Sequence, residues 1–221
     1  MIYIIRHGQT DINKENRVND VNQKISINKV GIEQANKTGI YLKKIRKLNI
    51  NNTIIYTSPQ LRAFETAEII KNKINKKLNI TLDKRLVETN KGILSGLGND
   101  SPIVVKYNNT ISNKLKGDSL SKRENILTII DNINSKYNIE NTTDIAKRLK
   151  SFFNHIKYEK KNIIIITHSG VITNILAHIL NILVHPSLLK GDLSKGKNCS
   201  ITTINNKGKY TLLTFPNTEH L

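Results

Sequence analysis

Arginine and histidine side chains follow three apolar, β-branched runs of the sequence. Arg6 and His7 come directly after the first run, Arg62 lies shortly after the second, and His168 follows the third. A guanidinium group carries a planar fork of donors that matches phosphate oxygens, and a neutral imidazole can attack phosphorus. These four side chains therefore predict a cationic cup that holds a phosphoryl group in line with an attacking histidine nitrogen.

A leaving alkoxide also needs a proton, and Glu88 is the candidate acid. Glu88 follows the short apolar segment from Ile80 to Leu82 and precedes a glycine-bearing loop. A carboxyl group placed next to the bound phosphoryl group could protonate the leaving oxygen. If Glu88 only orients the pocket, the donor would lie further along the chain, at Asp100 or Asp118.

Three strand–loop–helix units are predicted to position these side chains. The apolar runs extend from Ile2 to Ile5, from Thr53 to Tyr56 and from Ile163 to Ile166, and helical periodicity follows each. Nearly continuous apolar strands are typical of an α/β fold with a mainly parallel, doubly covered sheet, in which functional groups gather at the carboxyl ends of the strands. Ser200 to Ile204 and Tyr210 to Phe215 predict a hairpin at the sheet edge.

The chain length suits one sizeable domain, and we predict a single domain over residues 1–221. The periodicity weakens over residues 98–138, where only Ile126 to Ile133 keeps a helical pattern, so a variable insertion is expected there. An amphipathic helix is predicted from Thr142 to Tyr158, and the apolar helix after His168 is predicted to continue through Leu183.

Composition and charge constrain the location and the partners. No apolar run approaches the roughly 20 residues of a membrane-spanning helix, the N-terminus lacks the pattern of a signal peptide, and Cys199 is the single cysteine, so we expect a cytoplasmic protein. The formal net charge of +18 would attract phosphorylated molecules or nucleic acid. Because the lysines are scattered, we expect a small phosphorylated metabolite as partner, with nucleic acid disfavoured. A homodimer is left open.

A zinc site is the competing use of the two histidines. Zinc prefers carboxylate or thiolate co-ligands, and the neighbouring Arg6 and Arg62 argue against it. We therefore expect neither a metal nor an organic cofactor. Ser169 lacks the glycine two residues before it that a nucleophile elbow requires, so it is a candidate for phosphate contact only.

Four blocks around these residues resemble the histidine phosphatase superfamily, the phosphoglycerate-mutase-like proteins. The blocks are Arg6-His7-Gly8-Gln9-Thr10 with Asn13 and Glu15-Asn16-Arg17, then Ser58 to Ala67, then Leu86 to Gly92, and finally Thr167 to Ile172. They occur in family order and span most of the chain. The roles that the resemblance implies are phosphohistidine for His7, phosphoryl binding for Arg6, Arg62 and His168, phosphoryl contact for Asn13, and proton donation for Glu88.

The prediction is therefore a phosphomonoesterase that acts through a phosphohistidine on His7, with Glu88 as proton donor. Mutases of the family usually carry an aromatic residue where Lys91 stands and His-Gly-Asn where this chain has His168-Ser169-Gly170, which favours the phosphatase. The stretch from Gly92 to Leu97 does resemble mutases, so a phosphoglycerate-mutase-type isomerase is the alternative. A non-catalytic protein that uses its charge to bind a polyanion is the third hypothesis.

Overall fold

A computed structural model describes the chain at residues 1–19, 21, 24–46, 48–117, 123–182 and 197–221. Six strands in this part of the chain form one sheet. They are β1 (Ile2–Arg6), β2 (Thr53–Thr57), β3 (Ile80–Leu82), β4 (Asn162–Thr167), β5 (Ile201–Asn205) and β6 (Thr211–Asn217). Their order across the sheet is β3-β2-β4-β1-β5-β6.

Seven α-helices lie in the same described ranges. They are α1 (Asp11–Lys14), α2 (Lys29–Lys44), α3 (Leu61–Ile74), α4 (Pro102–Gly117), α5 (Arg123–Ser135), α6 (Thr142–Ile156) and α7 (Ser169–His178). Side-chain caps begin two of them, since Thr10 accepts from the N–H of Asn13 at α1, and Asn28 accepts from the N–H of Gly31 at α2.

The strand directions confirm the mainly parallel sheet. Strand β4 lies between β1 and β2 and is parallel to both, and β3 is parallel to β2. Strands β5 and β6 are antiparallel and form the predicted edge hairpin, with β5 paired to β1. The carboxyl ends of β1, β2 and β4 therefore lie side by side at one edge, which is where the sequence places its candidate residues.

Helices cover both faces of the sheet, as predicted. Successive residues of a strand point to opposite faces, so Ile4 packs in one apolar cluster with Phe152 of α6, while Ile5 packs in another with Ala67 of α3. All four side chains are fully buried. Helices α6 and α7 thus lie on one face, and α2 and α3 on the other.

The segment that we expected to be an insertion contains two helices, of which the sequence predicted only part of one. The predicted helical stretch from Ile126 to Ile133 is extended in α5, and α4 was not predicted. Ile111 of α4 packs with Ile126, Ile130 and Ile133 of α5 in a small apolar cluster of their own. In α4, Val104, Tyr107 and Ile111 do follow a helical spacing, which was overlooked among the Asn, Lys and Ser residues of this segment.

The predicted ends of two helices were too late in the chain. Helix α6 ends at Ile156 and not at Tyr158, and α7 ends at His178. After α7, the N–H of Leu180 donates to the carbonyl of Ile175 and that of Ile182 to the carbonyl of Leu176, and Asn181 adopts the left-handed conformation with φ of 57°, so the α-helical hydrogen-bond pattern ends there. The predicted end at Leu183 lies outside the described residues.

Candidate active site

His7 lies just after the carboxyl end of β1 and is buried. Its Nδ1 is 2.8 Å from the carbonyl oxygen of Gly8. Because that carbonyl can only accept, Nδ1 carries the proton and Nε2 keeps its lone pair. Burial, followed by the charges of Arg62 and Arg6, holds the pKa of His7 well below its usual range. His7 is therefore a neutral imidazole with one nitrogen available as a nucleophile.

His168 lies after the carboxyl end of β4 and precedes the first residue of α7. Its ring centroid is 5.2 Å from that of His7, and its Nε2 is 2.9 Å from the hydroxyl oxygen of Ser58. Its Nδ1 is buried and has no hydrogen-bond partner among the described residues. Burial and the charge of Arg62 hold the pKa of His168 well below its usual range, with smaller contributions from the ionisable neighbours His7, Arg6 and Arg148. The two strand-end histidines are thus side by side and neutral.

Arg6 and Arg62 supply the positive charge at this end of the sheet. Arg6 is the last residue of β1, and Arg62 lies in the first turn of α3 with no exposed surface. Burial lowers the pKa of Arg6, and the opposite charge of Glu88 raises it. Two guanidinium groups held next to two neutral histidines form an electropositive site suited to an anion.

Glu88 lies on the loop that follows β3 and is 6% exposed. Its Oε1 accepts from the backbone N–H of Thr89 at 2.8 Å, and its Oε2 is 3.5 Å from the N–H of Gly170 in the first turn of α7. The N–H of Glu88 donates to Oε1 of Gln60, which precedes α3. The carboxylate is therefore held by the N–H groups of Thr89 and Gly170, while Gln60 at the start of α3 holds the backbone of Glu88.

Asn13 and Ser169 border a cavity at this end of the sheet. The side-chain Oδ1 of Asn13 accepts from the N–H of Thr10 at 3.2 Å, which holds the amide at the start of α1. Ser169 is the first residue of α7. Both line a cavity of about 640 Å³ that is also lined by Arg6 and Glu88. The structure thus brings all seven candidate residues of the sequence to one end of the sheet.

Three residues at the site were missed as functional candidates. Ser58 contacts His168, Gln60 holds the backbone of Glu88, and the hydroxyl of Thr66 accepts from the N–H of Gly8 at 2.9 Å. Ser58 follows β2 directly, so the rule that selected Arg6 and His168 at strand ends could have selected it too. No local signal marks Thr66, because its partner lies 58 residues away in the chain.

The described part of the chain shows two further features that bear on function. No group of three His, Cys, Asp or Glu residues there is arranged to hold a metal ion. No described helix is long and apolar enough to cross a membrane. The absence of a metal from the reaction stays a prediction.

Comparison with known proteins identifies the family. The chain matches the histidine phosphatase superfamily (branch 1) over residues 2–218, and it therefore belongs to that superfamily. This confirms the resemblance found in the sequence.

Three known proteins illustrate the similarity. The chain is 34% identical over 127 residues to the 2,3-bisphosphoglycerate-dependent phosphoglycerate mutase of Thermoplasma acidophilum, which covers 54% of this chain and 60% of that protein. It is 30% identical over 95 residues to the probable fructose-2,6-bisphosphatase TIGAR A of Danio rerio, covering 42% of this chain and 35% of that one. A variant of the phosphoserine phosphatase of Entamoeba histolytica, solved with phosphoserine, superposes with a TM-score of 0.70 at 23% identity, covering 100% and 98% of the two chains. The superposition confirms the fold.

Proposed function

We propose that this protein hydrolyses phosphomonoesters through a phosphohistidine on His7. The observation that carries the proposal is the contact of His7 Nδ1 with the Gly8 carbonyl, which leaves Nε2 with its lone pair. Burial, followed by two arginines, lowers the pKa of the ring and favours its neutral form. A neutral imidazole whose second nitrogen keeps its lone pair is the form that attacks phosphorus.

In the first step, Nε2 of His7 attacks phosphorus and the bond to the leaving oxygen breaks. Arg6 and Arg62 neutralise the charge on the equatorial oxygens, which is the main demand of phosphoryl transfer. Glu88 gives its proton to the leaving alkoxide, so the alcohol departs neutral. This step needs Glu88 protonated at the outset, with its carboxyl group close to the leaving oxygen.

In the second step, Glu88 takes a proton from water, and the water oxygen attacks the phosphorus of the phosphohistidine. The bond from phosphorus to Nε2 breaks, phosphate leaves, and His7 returns to its neutral state. Atoms and charge balance over the two steps, because Glu88 begins and ends protonated. No metal or organic cofactor takes part in the proposed cycle.

His168, Asn13 and Ser169 complete the proposed phosphoryl site. A hydroxyl donation from Ser58 to Nε2 of His168 would leave Nδ1–H as a donor toward the phosphoryl oxygens. Ser169 lies in the first turn of α7, where backbone N–H groups and the helix dipole favour an anion. Asn13 would donate through its amide nitrogen.

The proposed substrate is a small phosphorylated metabolite. The cavity of about 640 Å³ has the size of a small-molecule site, and its walls combine apolar side chains such as Ile111 and Ile130 with amides such as Asn134 and Asn174. The relative in Danio rerio is named a bisphosphatase and the one in Thermoplasma acidophilum a mutase, both of which act on phosphorylated metabolites by their names. We also propose the cytoplasm as the place where the protein meets such a substrate.

A phosphoglycerate-mutase-type isomerase is the second candidate, and the 34% identity to a mutase favours it. In that reaction the phosphohistidine would return its phosphoryl group to a second hydroxyl before water attacks. A panel of phosphomonoesters, with phosphate release measured for each, tests the phosphatase. Interconversion of 3-phosphoglycerate and 2-phosphoglycerate, with and without a bisphosphoglycerate primer, tests the mutase on the same preparation.

The expected result is phosphate release from at least one phosphomonoester and little primed isomerisation. H7A should lose this phosphate release. H155A is the matched control for H7A: His155 lies in the last turn of α6, so its replacement should leave turnover at the wild-type level. Fast primed isomerisation with little phosphate release would show that the protein is a mutase and not a phosphatase. Failure of both activities across the panel would contradict the proposal.

A further inference from the structure

A tight turn at residues 197–200 encloses the backbone around the proposed nucleophile. The N–H of Cys199 donates to the carbonyl of Arg6 at 3.0 Å, and the N–H of Arg6 donates to the carbonyl of Ser200 at 3.3 Å. Cys199 has a φ of 59°, in the left-handed region that non-glycine residues rarely occupy. A strained residue held next to a functional backbone is a reason to look for function in its neighbours.

The neighbour is Asn198, whose side chain is hydrogen-bonded to the backbone of His7. Asn198 is 8% exposed, and its Nδ2 is 2.9 Å from the carbonyl oxygen of His7 and 3.0 Å from Oδ1 of Asn13. A carbonyl can only accept, so the first contact requires a nitrogen at that end of the Asn198 amide. One side chain therefore connects the backbone of the proposed nucleophile to a proposed phosphoryl ligand.

A second, independent contact fixes the orientation of the Asn13 amide. The N–H of Thr10 lies 3.2 Å from the same end of Asn13, and because a backbone N–H can only donate, that end is the oxygen. The two assignments agree with each other, since the nitrogen of Asn198 then meets the oxygen of Asn13. Two donors thus engage Oδ1 of Asn13, and its Nδ2 is the end left to face an anion in the cavity that Asn13 lines.

We propose that Asn198 is a positioning residue, which is anchored on the carbonyl of His7 and holds the Asn13 amide with its nitrogen toward the phosphoryl group. This inference rests on the proposed phosphoryl site, because it takes Asn13 as a ligand. Without Asn198, the Asn13 amide can turn about its last torsion and present its oxygen to a phosphate. An oxygen there repels the anion, whereas the nitrogen donates to it.

The C-terminal segment holds the turn from its other side. Nε2 of His220 is 3.1 Å from the carbonyl oxygen of Cys199, and the His220 ring stacks on Tyr41 of α2 with a centroid distance of 4.9 Å. Anchoring on both sides keeps the turn, and therefore the Asn198 amide, in one place. This is what a positioning residue requires.

A double-mutant cycle on the full chain tests the proposal, with inorganic phosphate as the probe. The variants are N13A, N198A and the double variant, and calorimetry measures the dissociation constant of phosphate for each. T202V is the matched control, since Thr202 is buried on β5 in the same part of the chain. Thermal midpoints measured in parallel report stability separately from binding.

Each single variant should weaken phosphate binding by about tenfold, the effect of losing about 1.4 kcal/mol of buried hydrogen bonding. The double variant should bind phosphate within about twofold of the weaker single variant, because Asn198 acts through Asn13. T202V should keep the wild-type constant even if its midpoint falls.

A double variant that binds phosphate about a hundredfold more weakly than the wild type would overturn the proposal, because the two losses would then be independent. A dissociation constant of N198A equal to that of the wild type would also overturn it. A T202V constant as weak as that of N198A would also overturn it, because a general loosening of β5 would then explain the effect. Binding is measured without turnover, so a wild-type protein that binds phosphate but hydrolyses no ester contradicts the proposed function and leaves this cycle informative.

Discussion

Replacing Gly170 by alanine should displace the carboxylate of Glu88 from the proposed reaction centre. A Cβ atom at Gly170 would lie 2.5 Å from Oε1 of Glu88 and 2.9 Å from the hydroxyl oxygen of Thr89. The first distance is about 0.9 Å shorter than the 3.4 Å at which ordinary contact begins. Both nearby atoms are ends of side chains, so the carboxylate moves while the backbone of α7 stays in place.

A displacement of about 1 Å at a reacting group can cost about a hundredfold in rate. The loss should fall on the step that needs the proton, so an alkyl phosphomonoester should lose about a hundredfold in kcat/KM. An aryl phosphomonoester, whose leaving group needs the proton less, should lose less than about tenfold. E88Q should show the same pattern, with the alkyl substrate losing at least about tenfold more than the aryl one.

The assay compares kcat/KM for an alkyl and an aryl phosphomonoester in the wild type, G170A and E88Q. G39A is the matched control. A Cβ at Gly39 of α2 would also be crowded, at 2.7 Å from the Cβ of Lys73, but this contact joins α2 to α3 and does not involve Glu88. Alanine is more favourable than glycine in a helix by about 0.8–1.0 kcal/mol. The thermal midpoint of G170A should therefore lie no more than a few degrees below that of the wild type. Equal losses on the two substrates would refute the assignment of Glu88 as the acid.

The buried histidines, Cys199, Ser58 and the metal-free reaction can each be tested separately. Burial and the charge of Arg62 lower the pKa values of His7 and His168 in the folded protein. Below pH about 6.5 the unfolded chain therefore binds more protons than the folded protein does. The free energy of unfolding should fall as the pH decreases from there, by up to about 1.4 kcal/mol per pH unit for each histidine. Urea unfolding between pH 7.5 and 5 checks this, and H7Q with an unchanged slope would contradict it. Burial raises the pKa of Cys199 to about 12, so iodoacetamide at pH 8 should modify it only after denaturation, as read by mass spectrometry. S58A should lose about tenfold in kcat/KM and lower the thermal midpoint by a few degrees, because a buried hydrogen bond to His168 is lost, and wild-type turnover would contradict that role. Turnover in excess EDTA should stay within about twofold of the untreated enzyme, and complete loss would show that a metal takes part.

The fold was predictable where local sequence determines it. The isoleucine runs of β1 and β4 are buried on both faces, so their pattern alone indicates central parallel strands. The strand-end rule then selects Arg6 and His168, because parallel strands bring their carboxyl ends to one edge of the sheet. Helix α4 was missed although Val104, Tyr107 and Ile111 follow a helical spacing, because they are set among Asn, Lys and Ser residues that favour turns and loops.

The contacts within the site were not predictable, because they join residues that are far apart in the chain. Ser58 and His168 are separated by 110 residues, and Asn13 and Asn198 by 185. Such pairs depend on how turns and loops place polar side chains, and hydrophobic periodicity carries no information about that. The sequence therefore indicates which side chains are chemically suitable, and the structure shows which of them meet.

Trapping the phosphoenzyme tests the central claim most directly. The protein would be mixed with a phosphomonoester that it hydrolyses, quenched in alkali within one turnover, digested and sequenced by tandem mass spectrometry. The account predicts a phosphate on the imidazole of His7, no phosphopeptide from H7A, and turnover by H7A that is lower by several orders of magnitude. A phosphate on His168 or Ser169, or wild-type turnover by H7A, would contradict it.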